Sequence, residues 1–178
     1  GGGSLLVSGD LISVSQSVGT ISNGNVALTA VTGITCTVGS SIAVENGDLT
    51  LMANPAGSAT GGVCGIVISN ATVQAAGTGS VLLNGTGDAG AGIQLVGAST
   101  SVGGATSTGD ITLVTDSLLA TAGSIQSGGA LTIKPKTPGT TIGLGGGMGT
   151  LNIDDAALAL LAGGFASVTI GDAAAGVV

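Results

Sequence analysis

The chain has 178 residues, enough for one domain with a core, but its only aromatic is Phe165 and it holds no Trp, Tyr, His or Arg. Gly numbers 36 while apolar residues still make up 43%, so any interior is built from Val, Ile, Leu and Ala in regular array, which sets it apart from a disordered Gly-rich chain. A net charge of −7 with only Lys134 and Lys136 as cations argues against nucleic acid and anionic membranes as partners, and the missing His, Arg and Tyr remove the usual acids, bases and clamps of an enzyme.

At the amino end no basic segment precedes an apolar run and the first residue is not Met, so the chain reads as a processed segment of something longer. Residues Ser4 to Val14 read as early, irregular copies of a unit that becomes explicit at Gly24-Asn25-Val26-Ala27-Leu28. The unit returns at Gly47, Gly79, Gly109, Gly129 and Gly149, and without its glycine at Ala166-Ser167-Val168-Thr169-Ile170. Each copy is a turn residue followed by a strand with two aliphatic side chains on one face, the period-2 pattern of a half-buried strand.

Successive anchors lie 23, 32, 30, 20 and 20 residues apart from Gly24 to Gly149, a solenoid period. Between anchors lie further short strands: 34–38 and 41–44, then 64–68 and 71–73, then 93–96 and 101–102, then 124–126. The expected fold is all-β, a right-handed parallel β-helix (β-solenoid) with coils of about 20–30 residues, residues 1–178 forming one segment of it. Stacking seven coils predicts two interior columns. One contains Val26, Leu49, Val81, Ile111, Leu131, Leu151 and Val168, and the other Leu28, Leu51, Leu83, Leu113, Ile133, Ile153 and Ile170. The longer periods place lateral loops at Asn54–Gly62 and Asn84–Gly92, with Pro55 marking the first as irregular.

Cys36 and Cys64 have matching strand parity in successive coils, so a disulfide between them is one reading and two small apolar fillers the other. Asp48, Asp88 and Asp110 are weak calcium candidates beside turn glycines, against the default of a solvated turn carboxylate. Lys134-Pro135-Lys136-Thr137-Pro138 reads as a solvated corner, and Gly143 to Gly149 as a tight corner lacking the Lys-Ser/Thr of a phosphate loop. Asp154-Asp155 opens an apolar run closed by Gly163-Gly164, predicting a short helix inserted near 154–164 that lays Leu158, Leu161 and Phe165 on the rod.

The Gly-Asp/Asn-aliphatic-x-Leu coils, with Gly123-Ser124-Ile125-Gln126-Ser127-Gly128-Gly129, resemble the filamentous haemagglutinin-like exoproteins of two-partner secretion and related giant repeat-rich bacterial surface proteins. Residues 140–151 leading into Asp154-Asp155-Ala156 resemble a recurrent segment of those giants. The resemblance implies a secreted, extracellular or cell-surface stalk, adhesin or filament, a setting that permits disulfides. The expected partners are further copies stacked on the coil ends and a host or neighbouring-cell surface, with no membrane insertion and no cofactor. Two other readings are an adhesin that binds a receptor or glycan through its lateral loops, and an ice-binding face on Thr50, Thr112, Thr132 and Thr169, a column that Leu82 and Asn152 interrupt.

Overall fold

The computed structural model describes residues 2–176. Its strands run β1 (Leu5–Val14), β2 (Ser17–Gly19), β3 (Val26–Cys36), β4 (Ser41–Val44), β5 (Leu49–Ala53), β6 (Ile66–Ser69), β7 (Thr72–Ala75), β8 (Val81–Gly85) and β9 (Ile93–Val96). They continue as β10 (Ser101–Gly103), β11 (Ile111–Val114), β12 (Leu118–Ala120), β13 (Ser124–Gln126), β14 (Ala130–Lys134), β15 (Ile142–Leu144) and β16 (Leu151–Ile153). A helix α1 (Asp155–Ala159) and strand β17 (Ser167–Ile170) complete the order.

Among the described residues every strand pairing is parallel, and apart from β15 with β16 the pairings fall into three ladders visited in turn. The first runs β1, β3, β5, β8, β11, β14, β17. The second uses the later halves of β1 and β3, then β6, β9 and β12. Because β1 and β3 pass through both, these two ladders form one curled parallel sheet. The third ladder runs β2, β4, β7, β10, β13 and ends at a bridge from Ile125 to Leu161. Alternation explains which side chains meet between the ladders: Leu51 from the first, Ile68 from the second and Val73 from the third are fully buried in one hydrophobic cluster.

The two aliphatic columns exist, with one substitution of members. Val26, Leu49, Val81, Ile111 and Leu131 stack in register and then meet Val168, while Leu28, Leu51, Leu83, Leu113 and Ile133 meet Ile170. Leu151 and Ile153 are not among them. Both are buried, but β16 pairs with β15, Leu151 opposite Ile142 and Ile153 opposite Leu144, in a separate two-stranded sheet. The physical reason is the Gly-rich loop 145–150, which returns the chain beside the strand it has just left. Gly149 therefore abuts Gly143, where an anchor would abut the glycine of the previous coil. The stacked step from Leu131 to Val168 spans 37 residues, outside the expected period, and the seventh member of each column comes from the other end as Leu5 on Val26 and Val7 on Leu28.

The helix is real but shorter than 154–164. Asp154 caps it, its Oδ1 accepting the N–H of Ala157 at 2.8 Å, and it stops at Ala159 because Leu161 is drawn into the third ladder opposite Ile125. Leu158, Leu161 and Phe165 pack against the core as expected, and β17 resumes the first ladder. Three short strands escaped prediction, β2, β12 and β15, the last running into the corner expected from Gly143, while Val38 and Cys64 lie outside the strands expected to hold them; Val38 is 71% exposed in a turn.

The anchor glycines have a steric task that their placement at turns does not disclose. A Cβ built on Gly47, Gly79, Gly109 or Gly129 would run into the carbonyl of the preceding anchor, 2.5, 2.5, 2.5 and 2.6 Å from its carbon, distances no real Cβ tolerates. None of the four has positive φ, so what they require is room.

Candidate functional site

Residues 54–65, between β5 and β6, and residues 86–92, between β8 and β9, leave the same side of the ladders in adjacent coils. Asn84 and Gly85, expected in the second loop, belong to β8. Asn54 turns the chain with φ 48°, is 1% exposed, and sends Nδ2 to the carbonyl of Thr86 at 3.2 Å while its Oδ1 receives the N–H of Ala59 at 3.1 Å. Asp88 reaches back across the gap: its Oδ2 accepts the N–H groups of Gly61 at 3.0 Å and Gly62 at 3.2 Å. The two loops therefore form one cross-linked platform.

Lys136 completes it from the corner after β14, its ammonium donating to the carbonyls of Asn54 at 3.2 Å and Pro55 at 2.9 Å and to the hydroxyl of Thr86. This overturns the expected solvated corner for Lys136, since the carbonyls released by the irregular loops need donors and its stem is long enough to supply them. Lys134 does remain at the surface, 3.5 Å from Asp172. Burial lowers the Lys136 pKa, opposed by the nearby charge of Asp116. Replacing Lys136 with Met should expose the loops, and hydrogen exchange over 54–62 is expected to speed up at least tenfold while exchange in β5 and β8 stays unchanged. The loss is about 1.5–3 kcal/mol, the worth of hydrogen bonds to a charged group.

Beneath this corner Asp116 collects four hydrogen bonds. Its Oδ1 accepts from the N–H of Lys136 at 2.8 Å, the N–H of Thr137 at 2.9 Å and the hydroxyl of Thr140 at 3.3 Å, and its Oδ2 accepts from the Thr137 hydroxyl at 2.5 Å. Partial burial pushes its pKa up, but these bonds outweigh burial and hold it below the ordinary carboxylate value. A carboxyl whose folded pKa is depressed contributes stability that is present above its unfolded pKa of about 3.9 and is lost as pH falls through the folded value. The melting temperature should therefore drop as pH falls below about 4, and Asp116→Asn should flatten that drop in thermal scans from pH 5 to pH 2.

The calcium candidates do not converge. Asp88 is spent on the loop N–H groups, Asp48 Oδ1 accepts the N–H of Ser80 at 2.9 Å, and Asp110 Oδ1 accepts that of Ala130 at 2.8 Å. Among the described residues no three His, Cys, Asp or Glu side chains gather where a metal could sit. What Asp48 and Asp110 share is a structural role: the residue after the anchor offers a side-chain oxygen to the N–H of its counterpart one coil on. Ser4 does the same for Asn25 at 3.2 Å and Asn25 for Asp48 at 2.8 Å.

The disulfide is also corrected. Both cysteines are free, because matching parity does not fix register: Cys36 stands opposite Ile68, and Cys64 lies two residues before β6, its thiol turned to Gln94 Oε1 at 3.5 Å. Burial pushes the Cys36 thiol up to about 12, leaving it inert in the core. Alkylation of the native protein should label Cys64 alone, and denaturation without reductant should release Cys36 for labelling, both read by mass.

The remaining distinctive surfaces are the ends. Beside β1 a cavity of about 280 Å³ opens into the core between Val7, Ile12, Val14, Val18 and Leu28, while at the far end Val168 is 48% exposed although its column neighbour Leu131 is 0% exposed. No helix among the described residues is long and apolar enough to cross a membrane. The chain matches no protein-family model, no curated protein and no solved structure.

Proposed function

We propose that the chain is a right-handed parallel β-helix serving as a structural rod in a secreted bacterial cell-surface or extracellular filament or adhesin, one that associates end to end. The observation that carries the reading is the first ladder, in which seven strands stack in parallel with two aliphatic columns running between them. At about 4.8 Å per strand such a ladder converts sequence into length, roughly 29 Å from β1 to β17. Nearest-neighbour stacking of this kind suits reach and resistance to proteolysis. The carboxylates of Asp48, Asp88, Asp110 and Asp116 each accept backbone N–H groups, and the reading assigns no reaction, cofactor, nucleic acid or membrane to the chain. The export route and surface location rest on the sequence resemblance.

Electron microscopy of purified material tests it: straight rods with a 4.8 Å axial repeat are expected. Compact particles without that repeat would remove the rod, and a solved structure of the opposite hand would remove the right-handed helix.

The platform of residues 54–65 and 86–92 favours a second reading, a receptor-binding adhesin surface, because Asp88 and Lys136 hold it in one shape. Carbohydrate is the less suitable ligand, since the chain has no Trp or Tyr on which a sugar could stack. Replacing residues 57–62 by a short Gly-Ser turn should abolish attachment to a host or neighbouring-cell surface if the platform is the contact. Unchanged attachment would sink this second reading.

A further inference from the structure

We infer that the two ends of the molecule are complementary, so that β17 of one copy takes β1 of the next in a single register: Leu5 over Val168 and Val7 over Ile170, with Ser4 over Ser167. The inference rests on the rod reading and adds to it the order, direction and register of the junction.

The first ladder sets the register. Leu5 already stacks on Val26 and Val168 on Leu131, so placing Leu5 of a following copy on Val168 prolongs the same column by one step. The side-chain hydrogen bonds repeat with it. In the coils that carry them, the residue after the anchor accepts the N–H of its counterpart in the next coil, as Ser4 does from Asn25 and Asp110 from Ala130. Ser167 holds that position in β17 and its hydroxyl is the matching acceptor for Ser4 N–H. The glycine column ends open in the same direction: a Cβ on Gly3 would meet nothing within 4 Å, whereas Gly24, Gly47, Gly79, Gly109 and Gly129 each abut a preceding backbone.

The distribution of exposed apolar side chains points to the same surfaces. Among the described residues β1 exposes Leu6 and Leu11 and β17 exposes Val168, whereas β5, β8, β11 and β14 between them expose no large hydrophobic side chain. Free strand edges are ordinarily protected by charge or proline. Here β17 has neither, and the only charged residue of β1 is Asp10, at the irregularity between Gly9 and Leu11. The cavity beside Val7 and Leu28 is the space that Ile170 of the preceding copy would close. The third ladder has no strand at the level of β17, so the junction is carried mainly by the first ladder and should be reversible and concentration-dependent.

Cysteine pairs read the register. In a Cys64→Ala background, Leu6→Cys with Thr169→Cys puts thiols on two outward positions that this register superimposes; parallel partners lie about 4.8 Å apart, within disulfide reach. Mild oxidation at high protein concentration is expected to give a reducible series in steps of 16.3 kDa. The two-residue slip pair Ser8→Cys with Thr169→Cys should remain uncrosslinked. Equal crosslinking of both pairs, crosslinking of neither, or dimers as abundant from Leu6→Cys alone would overturn the inference. Micrographs of the same samples separate it from the rod reading: 4.8 Å rods without crosslinks defeat the junction and leave the rod, while compact particles defeat both.

Discussion

Replacing Gly79 with alanine is expected to destabilise the protein by at least about 3 kcal/mol, the upper end of what overpacking costs. The added methyl would lie 2.5 Å from the carbonyl carbon of Gly47 and closer still to its oxygen, and also 3.0 Å from the carbonyl carbon of Asn46. All three are backbone atoms of the short turn between β4 and β5, so no side chain can rotate out of the way. The coils must separate or the ladder must break between β5 and β8, which share five in-register pairs. Gly163→Ala is the matched control. Its Cβ meets nothing within 4 Å, its φ is not positive, and a change within about 0.5 kcal/mol is expected. Urea unfolding of the two variants decides the matter, with a lower midpoint for Gly79→Ala at unchanged slope. Equal midpoints would show that the anchor glycines are turn residues and nothing more.

Leu51→Ala should cost about 3 to 5 kcal/mol. Leu51 is 0% exposed, stacked between Leu28 and Leu83, and the strands on either side are pinned by their own ladder bonds, so the vacated volume cannot close. The same truncation at the end of the stack should behave differently. In the neighbouring column Val168 takes in β17 the inward position that Leu49 holds in β5, but it is 48% exposed where Leu49 is 0% exposed, and Val168→Ala should cost less than about 1 kcal/mol in the isolated chain. Stability in a stack is a sum over neighbours, and a terminal coil has one neighbour where a middle coil has two. A comparable cost at both positions, measured by denaturant unfolding, would contradict that account.

The parts of this architecture that are local are legible in the sequence. Period-2 alternation in Leu49–Ala53 and Ala130–Lys134 predicts strands with one buried face, and Asp154 followed by a helix-forming run predicts its cap. Failures arise where identical local patterns have different partners. Gly149-Thr150-Leu151-Asn152-Ile153 matches the repeat residue for residue, yet a strand's own sequence does not state which edge it joins, and the nearest available edge was β15. Cys36 and Cys64 fail for the related reason that parity repeats every two residues while register depends on the whole intervening loop. Lys136 reaches loop atoms 81 and 82 residues away, a contact no window of sequence contains. The glycine column was visible as a list of glycines but not as backbone pressed on backbone, because that follows only once the coils are superimposed.

That column has a consequence for how such a chain can change. On the side where the anchor glycines sit the connections run from three residues between β13 and β14 to seven between β10 and β11, whereas the opposite corner ranges from three between β11 and β12 to twelve between β5 and β6. One side of the stack is thus closed, since an added methyl group there forces the backbone apart, and the other holds the longer segments 54–65 and 86–92 while the strands on either side keep their register. A foreign peptide spliced between Thr60 and Gly61 would enter on that second side and be carried at a fixed height on the stack. In the rod proposed above, position along the sequence would set the height at which such an insert is held.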